Sequence, residues 1–151
     1  MKLGVITDGI SRDFSHALTV MDAFGLEYAE LQFLWDKEVG NLGAGERRKA
    51  LELIARHEKR VACISAHLFS GVPTTTTRVG DALHTHHLDW LGRCIDMAHE
   101  FGSPLVRIMS GRKEPILWGS HGAEQWNVPK GAWDGLLALL APAVELADVE
   151  L

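Results

Sequence analysis

Short apolar runs alternate with longer stretches of helical period along this chain. The first run, KLGVITD, is brief and β-branched. SRDFSHALTVMDAFG then keeps Phe14, Leu18, Met21 and Phe24 at near-helical spacing until Gly25 offers a stop. YAELQFLW reads as a second strand, and AGERRKALELIARHEKR as a second helix with Leu51, Ile54 and Ala55 on one face. RVACISAHLF is a third strand. HHLDWLGRCIDMAHEFG is a third helix, with a stripe of Leu88, Leu91, Ile95 and Ala98 ended by Gly102, and it leads into a fourth strand, PLVRIMSG. Beyond the loop SGRKEPILWGSHGAEQWNVPKG comes a leucine-rich helix, AWDGLLALLAPAVELADVEL, in which Pro142 should kink or restart the winding. Strands alternating with amphipathic helices predict an α/β fold: four βα units on a parallel sheet with right-handed crossovers.

Two architectures share that order, an open doubly wound sheet and part of an eight-stranded (β/α) barrel. Residues of one parity on a strand point the same way. Tyr28, Glu30 and Gln32 are therefore expected on one face, as are Val61, Cys63, Ser65 and His67, and Leu105, Arg107 and Met109. In an open sheet helices would cover that polar face, and Glu30 and Arg107 would be costly there. Inside a barrel, layers are built from alternate strands, so the second and fourth strands can meet. The expectation is half of a TIM (β/α) barrel with an interior Glu30–Arg107 ion pair.

Composition narrows the function classes. The chain has 151 residues, 46% of them hydrophobic, which suits a single domain over residues 1–151 with a core of ordinary size. Fifteen basic residues stand against 20 acids, for a net charge of −5, and no basic cluster suggests a nucleic-acid partner. No apolar stretch approaches the ~18 residues of a membrane span, and MKLGVITDGI lacks the h-region of a signal peptide, so a cytoplasmic location with no membrane partner is expected. Cys63 and Cys94 form no C-x-x-C and are expected reduced and buried. G-x-G-x-x-G, the P-loop pattern and the G-x-S-x-G elbow are all absent.

LGVITDGIS, AFGLEYAELQ, VACISAHL and above all LDWLGRCIDMAHEFGSPLVRIMSG resemble the first four βα units of xylose-isomerase-like (β/α) barrels, the sugar phosphate isomerase and epimerase superfamily. The last stretch carries most of the likeness: a helix ending in Ala-x-x-x-Gly, a Leu-Val-Arg strand and a Ser-Gly turn. The resemblance covers nearly the whole chain and only the N-terminal half of a barrel of ~250 residues. It implies a divalent metal (Mn, Mg or Zn) and proton transfer next to a sugar carbonyl. The family's main metal ligands and catalytic carboxylates fall on strands five to eight. Glu150 precedes the expected fifth strand and is not promoted to a ligand. No catalytic residue is thus expected within these residues, and the 151-residue chain is expected to be inactive alone.

The residues left to this half would line a substrate pocket for a sugar or sugar phosphate. His67 stands at the end of the third strand, on the rim where barrel active sites form. In the resembled family a histidine here lines the sugar pocket or, in a zinc-dependent phosphodiesterase and endonuclease branch, binds metal, which makes His67 a weak metal candidate. The competing reading is a histidine satisfied by a backbone carbonyl. Asp8 and Thr7 end the first strand, and Gln32, Trp35 and Asp36 the second. Asp8, Gln32 and Trp35 are candidates to bind the sugar, against the plainer readings of a turn-forming Asp8 and a packed Trp35. In the long loop, Arg112 and Lys113 could attract an anionic group, and His121 and Trp126 could form a lid. His84 and His87 share a helix face, and the plain expectation for them is an exposed, neutral helix N-terminus. A second function class is a non-catalytic half-barrel that closes by homodimerisation, because open sheet edges invite pairing. The partners expected are therefore a sugar and either a second copy or a C-terminal half.

Overall fold

A computed structural model describes residues 3–111 and 131–150, apart from the side chains of Val149 and Glu150. The described residues are α/β. They comprise strands β1 (Gly4–Ile6), β2 (Tyr28–Leu31), β3 (Phe33–Leu34), β4 (Lys37–Glu38) and β5 (Arg60–Ile64), and helices α1 (Phe14–Ala23), α2 (Ala44–Arg56), α3 (Ala82–Phe101) and α4 (Ala132–Glu150). Contacts group them into two compact units. One holds the chain to Ala66 with Leu91–Arg107, and the other holds His67–Trp90 with Ile108–Glu150.

The first unit is built on a parallel sheet in the order β1-β2-β5. Gly4 pairs with Tyr28 and Ile6 with Glu30, and on the other side Tyr28 pairs with Arg60 and Leu31 with Ile64. Gly4 is required by its neighbour, since a Cβ there would lie 2.8 Å from the Tyr28 carbonyl oxygen. The sequence pattern predicts a fourth strand over PLVRIMSG, whereas the described structure has a single parallel bridge, Ile64 to Val106. Only two ladder bonds form there, from Ile64 N–H to the Leu105 carbonyl at 2.9 Å and from Arg107 N–H to the Ile64 carbonyl at 2.8 Å. β5 ends at Ile64, so the ladder ends with it.

Two further expectations change along the strands. YAELQFLW is not one strand, because β3 turns back and pairs antiparallel with β4, Phe33 with Glu38 and Leu34 with Lys37. Trp35 takes the first turn position at φ 56°, a place that favours glycine. No Asn-Gly or Asp-Gly advertises the turn, which is why the pattern of apolar residues hid it. The face shared by Val61, Cys63, Ser65 and His67 is also interrupted. Ala29 pairs with Val61 but Glu30 with Cys63, so Ala62 is an extra residue in a bulge. Beyond it the parity inverts: Val61 lies with buried Ala29, and Cys63 lies with Glu30.

The helices follow their apolar stripes with small corrections. Asp13 caps α1 by accepting the His16 N–H at 3.2 Å, and Phe14, Ala17, Leu18 and Met21 are buried, while Phe24 is 77% exposed and stands outside the core. In α2 the buried face is Ala50, Leu53 and Ile54, and Ala55 is exposed. Glu46 starts that helix by accepting the Gly43 N–H at 2.7 Å and pairs with Lys37 at 2.8 Å, which holds its carboxyl below the ordinary glutamate range. α1, α2 and α3 end alike, each with a left-handed residue followed by an N–H that reaches back to the last turn. The left-handed residues are Gly25, Glu58 and Gly102. The reaching bonds are Leu26 to Met21 at 2.9 Å, Lys59 to Ile54 at 3.0 Å and Ser103 to Ala98 at 2.9 Å. α4 runs as one helix through Pro142.

Candidate functional site

In the first unit, the alternation of β2 buries Ala29 and Leu31 and leaves Tyr28 and Glu30 half-exposed on the opposite side. The Glu30 carboxylate accepts from the Arg107 guanidinium at 3.3 Å, so the ion pair expected from strand parity is present, with about 30% of each side chain exposed. The fully buried Ser65 hydroxyl donates to the same carboxylate oxygen. Arg107 turns a second nitrogen to the Ser65 carbonyl at 3.3 Å, and its Nε is buried with no acceptor among the described residues. Cys63 Sγ lies 3.5 Å from the Ser65 hydroxyl and is half-buried, not buried as expected; Cys94 is buried, and burial raises its thiol to about 12. The register change at Ala62 is what brings Cys63 and Ser65 to the Glu30 side.

Three of the sequence candidates also lie in this unit, and the structure gives two of them structural work. Asp8 accepts the Phe33 N–H at 3.3 Å, which fixes the start of the hairpin. The Trp35 ring meets Phe14 edge-on at 6.1 Å, has the Lys49 ammonium 4.8 Å over its face, and its backbone N–H donates to the Arg12 carbonyl at 2.8 Å. Its exposed face is thereby shared with a cation. Gln32 is half-buried beside Glu30 in sequence, and its carbonyl accepts the Val39 N–H at 2.9 Å.

The second unit holds His67, half-buried, with its carbonyl accepting the Ser70 N–H at 3.0 Å. It also overturns the expectation of exposure for His84 and His87, which are 1% and 6% exposed. Gly80 N–H donates to His84 Nδ1 at 3.3 Å, which leaves Nε2–H to donate to the Leu139 carbonyl at 3.0 Å. Phe69 N–H donates to His87 Nδ1 at 3.0 Å, and the His87 ring stacks on Phe69 and Trp90 with centroids 5.2 and 6.1 Å apart. Burial, then repulsion from His86 and His84, holds His87 below the ordinary histidine range. A signal for this burial was present: 84, 87, 91, 95 and 98 continue one helical stripe. Thr74, Thr77, Arg78, Asp134 and Gly135 line a cleft of about 640 Å³ in the same unit.

Arg112, Lys113, His121 and Trp126 lie outside the described residues. Among those described, no three His, Cys, Asp or Glu side chains come together as a metal site. Among the described residues, Asp8 is engaged by a backbone N–H and Glu30 by an arginine and a serine. Among the described residues no helix is long and apolar enough to cross a membrane. No protein-family model matches the chain, and no significant match to a curated protein was found.

Proposed function

We propose that these residues form the first four βα units of a xylose-isomerase-like barrel, half of a metal-dependent sugar or sugar phosphate isomerase or epimerase, and that Glu30, Ser65 and Arg107 belong to its substrate-binding wall. The order of pairing supports the barrel reading. β1, β2, β5 and the bridge at Val106 follow one another in chain order, whereas a doubly wound sheet reverses its order at a switch point. The observation that carries the functional reading is the Glu30–Arg107 pair, held on the polar side of the sheet and partly open to water. A carboxylate and a guanidinium fixed side by side offer acceptors and donors to neighbouring hydroxyls of a polyol, and both side chains are about 30% exposed. The metal and the carboxylates that move the proton would come from strands these residues do not include.

Binding tests the reading directly. Saturation-transfer NMR with a panel of aldoses, ketoses and their phosphates should detect binding to the wild-type chain. Arg107→Ala should weaken it by at least about tenfold, the scale of one lost charge-assisted contact. Arg60→Ala, which removes an exposed arginine paired with Glu27, should leave binding unchanged. Equal signals from the wild type and Arg107→Ala, or none with any sugar, would sink the reading. The 151-residue chain should not epimerise a ketose with Mn²⁺; turnover abolished by EDTA would show that these residues suffice for catalysis.

A further inference from the structure

We propose that His84 and His87 form an acid-sensitive latch which fastens the loop 67–81 to the start of α3 and to α4, and that protonation of the pair releases the loop. Each Nδ1 is already the acceptor of a backbone N–H, from Gly80 and from Phe69. A proton added to either nitrogen would put two N–H groups head to head. His84 joins three segments, because Gly80 belongs to the loop and Leu139, which takes its Nε2–H at 3.0 Å, belongs to α4. His87 holds the loop's buried anchor: Phe69 is 1% exposed and sits at φ 58°, a left-handed conformation that a bulky residue keeps only when its surroundings impose it.

Among the described residues, the hydrogen-bond partners of both rings are backbone groups, with no carboxylate bonded to either. Nearest the pair in sequence, the charged and titratable groups are His86 and Asp89 on α3 and His67, Arg78 and Asp81 in the loop, and Asp134 is the one nearest Leu139 on α4; the others on these helices lie further along, from Arg93 on α3 and from Glu145 on α4. Arg78 donates to the carbonyls of Thr75 and Thr77, Asp81 accepts the Arg78 N–H, and no carboxylate among the described residues bonds to His84 or His87. Stacking on Phe69 and Trp90 favours an imidazolium modestly, but it supplies no acceptor for the added N–H. For His87 the balance falls against the charged form, because burial and then repulsion from the neighbouring histidines hold its pKa down.

The sign of the pH effect follows. With the loop closed, His87 titrates below the ~6.5 of a free histidine. The open state therefore binds more protons, and closure is at full strength above that value and weakens as pH falls through it.

Hydrogen exchange, corrected for intrinsic rates, should show protection in 67–81 falling by about tenfold or more between pH 7.5 and 5.5, while α1 and β2 change by less than about twofold. In a His84→Gln/His87→Gln variant, whose amide oxygens accept N–H bonds but do not titrate, that fall should vanish. A fall of the same size in the variant, a uniform fall across the chain, or no fall in the wild type would overturn the latch. Should the variant not fold, the wild-type histidine ring nitrogens decide by NMR. Both Nδ1 atoms should be unprotonated at pH 7.5 and His87 should titrate below 6.5; a protonated Nδ1 at pH 7.5 or a midpoint above 6.5 overturns it.

Discussion

The Glu30–Ser65–Arg107 cluster and the His84–His87 pair solve the same problem, polar groups withdrawn from water, by opposite means. The first balances charge with charge, and its two charged side chains stay about 30% open to solvent. The second accepts backbone N–H groups on its ring nitrogens instead of pairing charges, is almost closed to solvent, and takes its hydrogen bonds from the backbone of Phe69, Gly80 and Leu139. A charged cluster of the first kind tolerates water and can exchange partners, as a binding surface must. A neutral cluster of the second kind depends on its protonation state, because each nitrogen has one role only.

The largest effect should come from the neutral cluster. His84→Leu keeps an apolar volume but strands the Leu139 carbonyl and removes the acceptor for Gly80, and should lower stability by about 2–3 kcal/mol in urea unfolding. A loss under about 0.5 kcal/mol would mean that water replaces the histidine freely. The charged cluster should respond less. A double-mutant cycle of Glu30→Gln and Arg107→Met should give a coupling of about 1 kcal/mol, smaller in 1 M salt, as suits a pair partly open to solvent. Coupling above about 3 kcal/mol would place the pair in a drier setting than its exposure indicates. The smallest effect lies outside both clusters and calibrates them. Glu58→Gly should stabilise by about 0.5–1 kcal/mol, since Glu58 occupies at φ 52° the position that Gly25 and Gly102 fill at the ends of α1 and α3. Destabilisation there would mean that the glutamate side chain contributes more than its backbone costs.

The two clusters were not equally legible. Glu30 and Arg107 could be paired from sequence because strand parity is local and a lone charge in an apolar run is conspicuous. Ser65 lies on the side that parity gives it, and the residue the count misplaces is Val61, which the bulge at Ala62 turns to the buried side with Ala29. The sequence leaves His84 and His87 looking exposed because histidine is polar and their partners, Gly80, Phe69 and Leu139, contribute backbone atoms that carry no sequence signature. The stripe through Leu91, Ile95 and Ala98 contained the correction. The hairpin after β2 escaped for a third reason: Trp35 holds a turn position that usually calls for glycine, with Phe14, Lys49 and Arg12 keeping it there.

Val61 and Ile64 are both buried although three residues apart, an odd separation that a flat strand cannot place on one side. Ala62 makes it possible, as a spacer between two stretches that each keep their own pairing with β2. A chain one residue shorter at that point would still set Cys63 opposite Glu30 and Ile64 opposite Leu31, with a straighter strand. The fold thus contains a joint where its length can change without exchanging inside for outside.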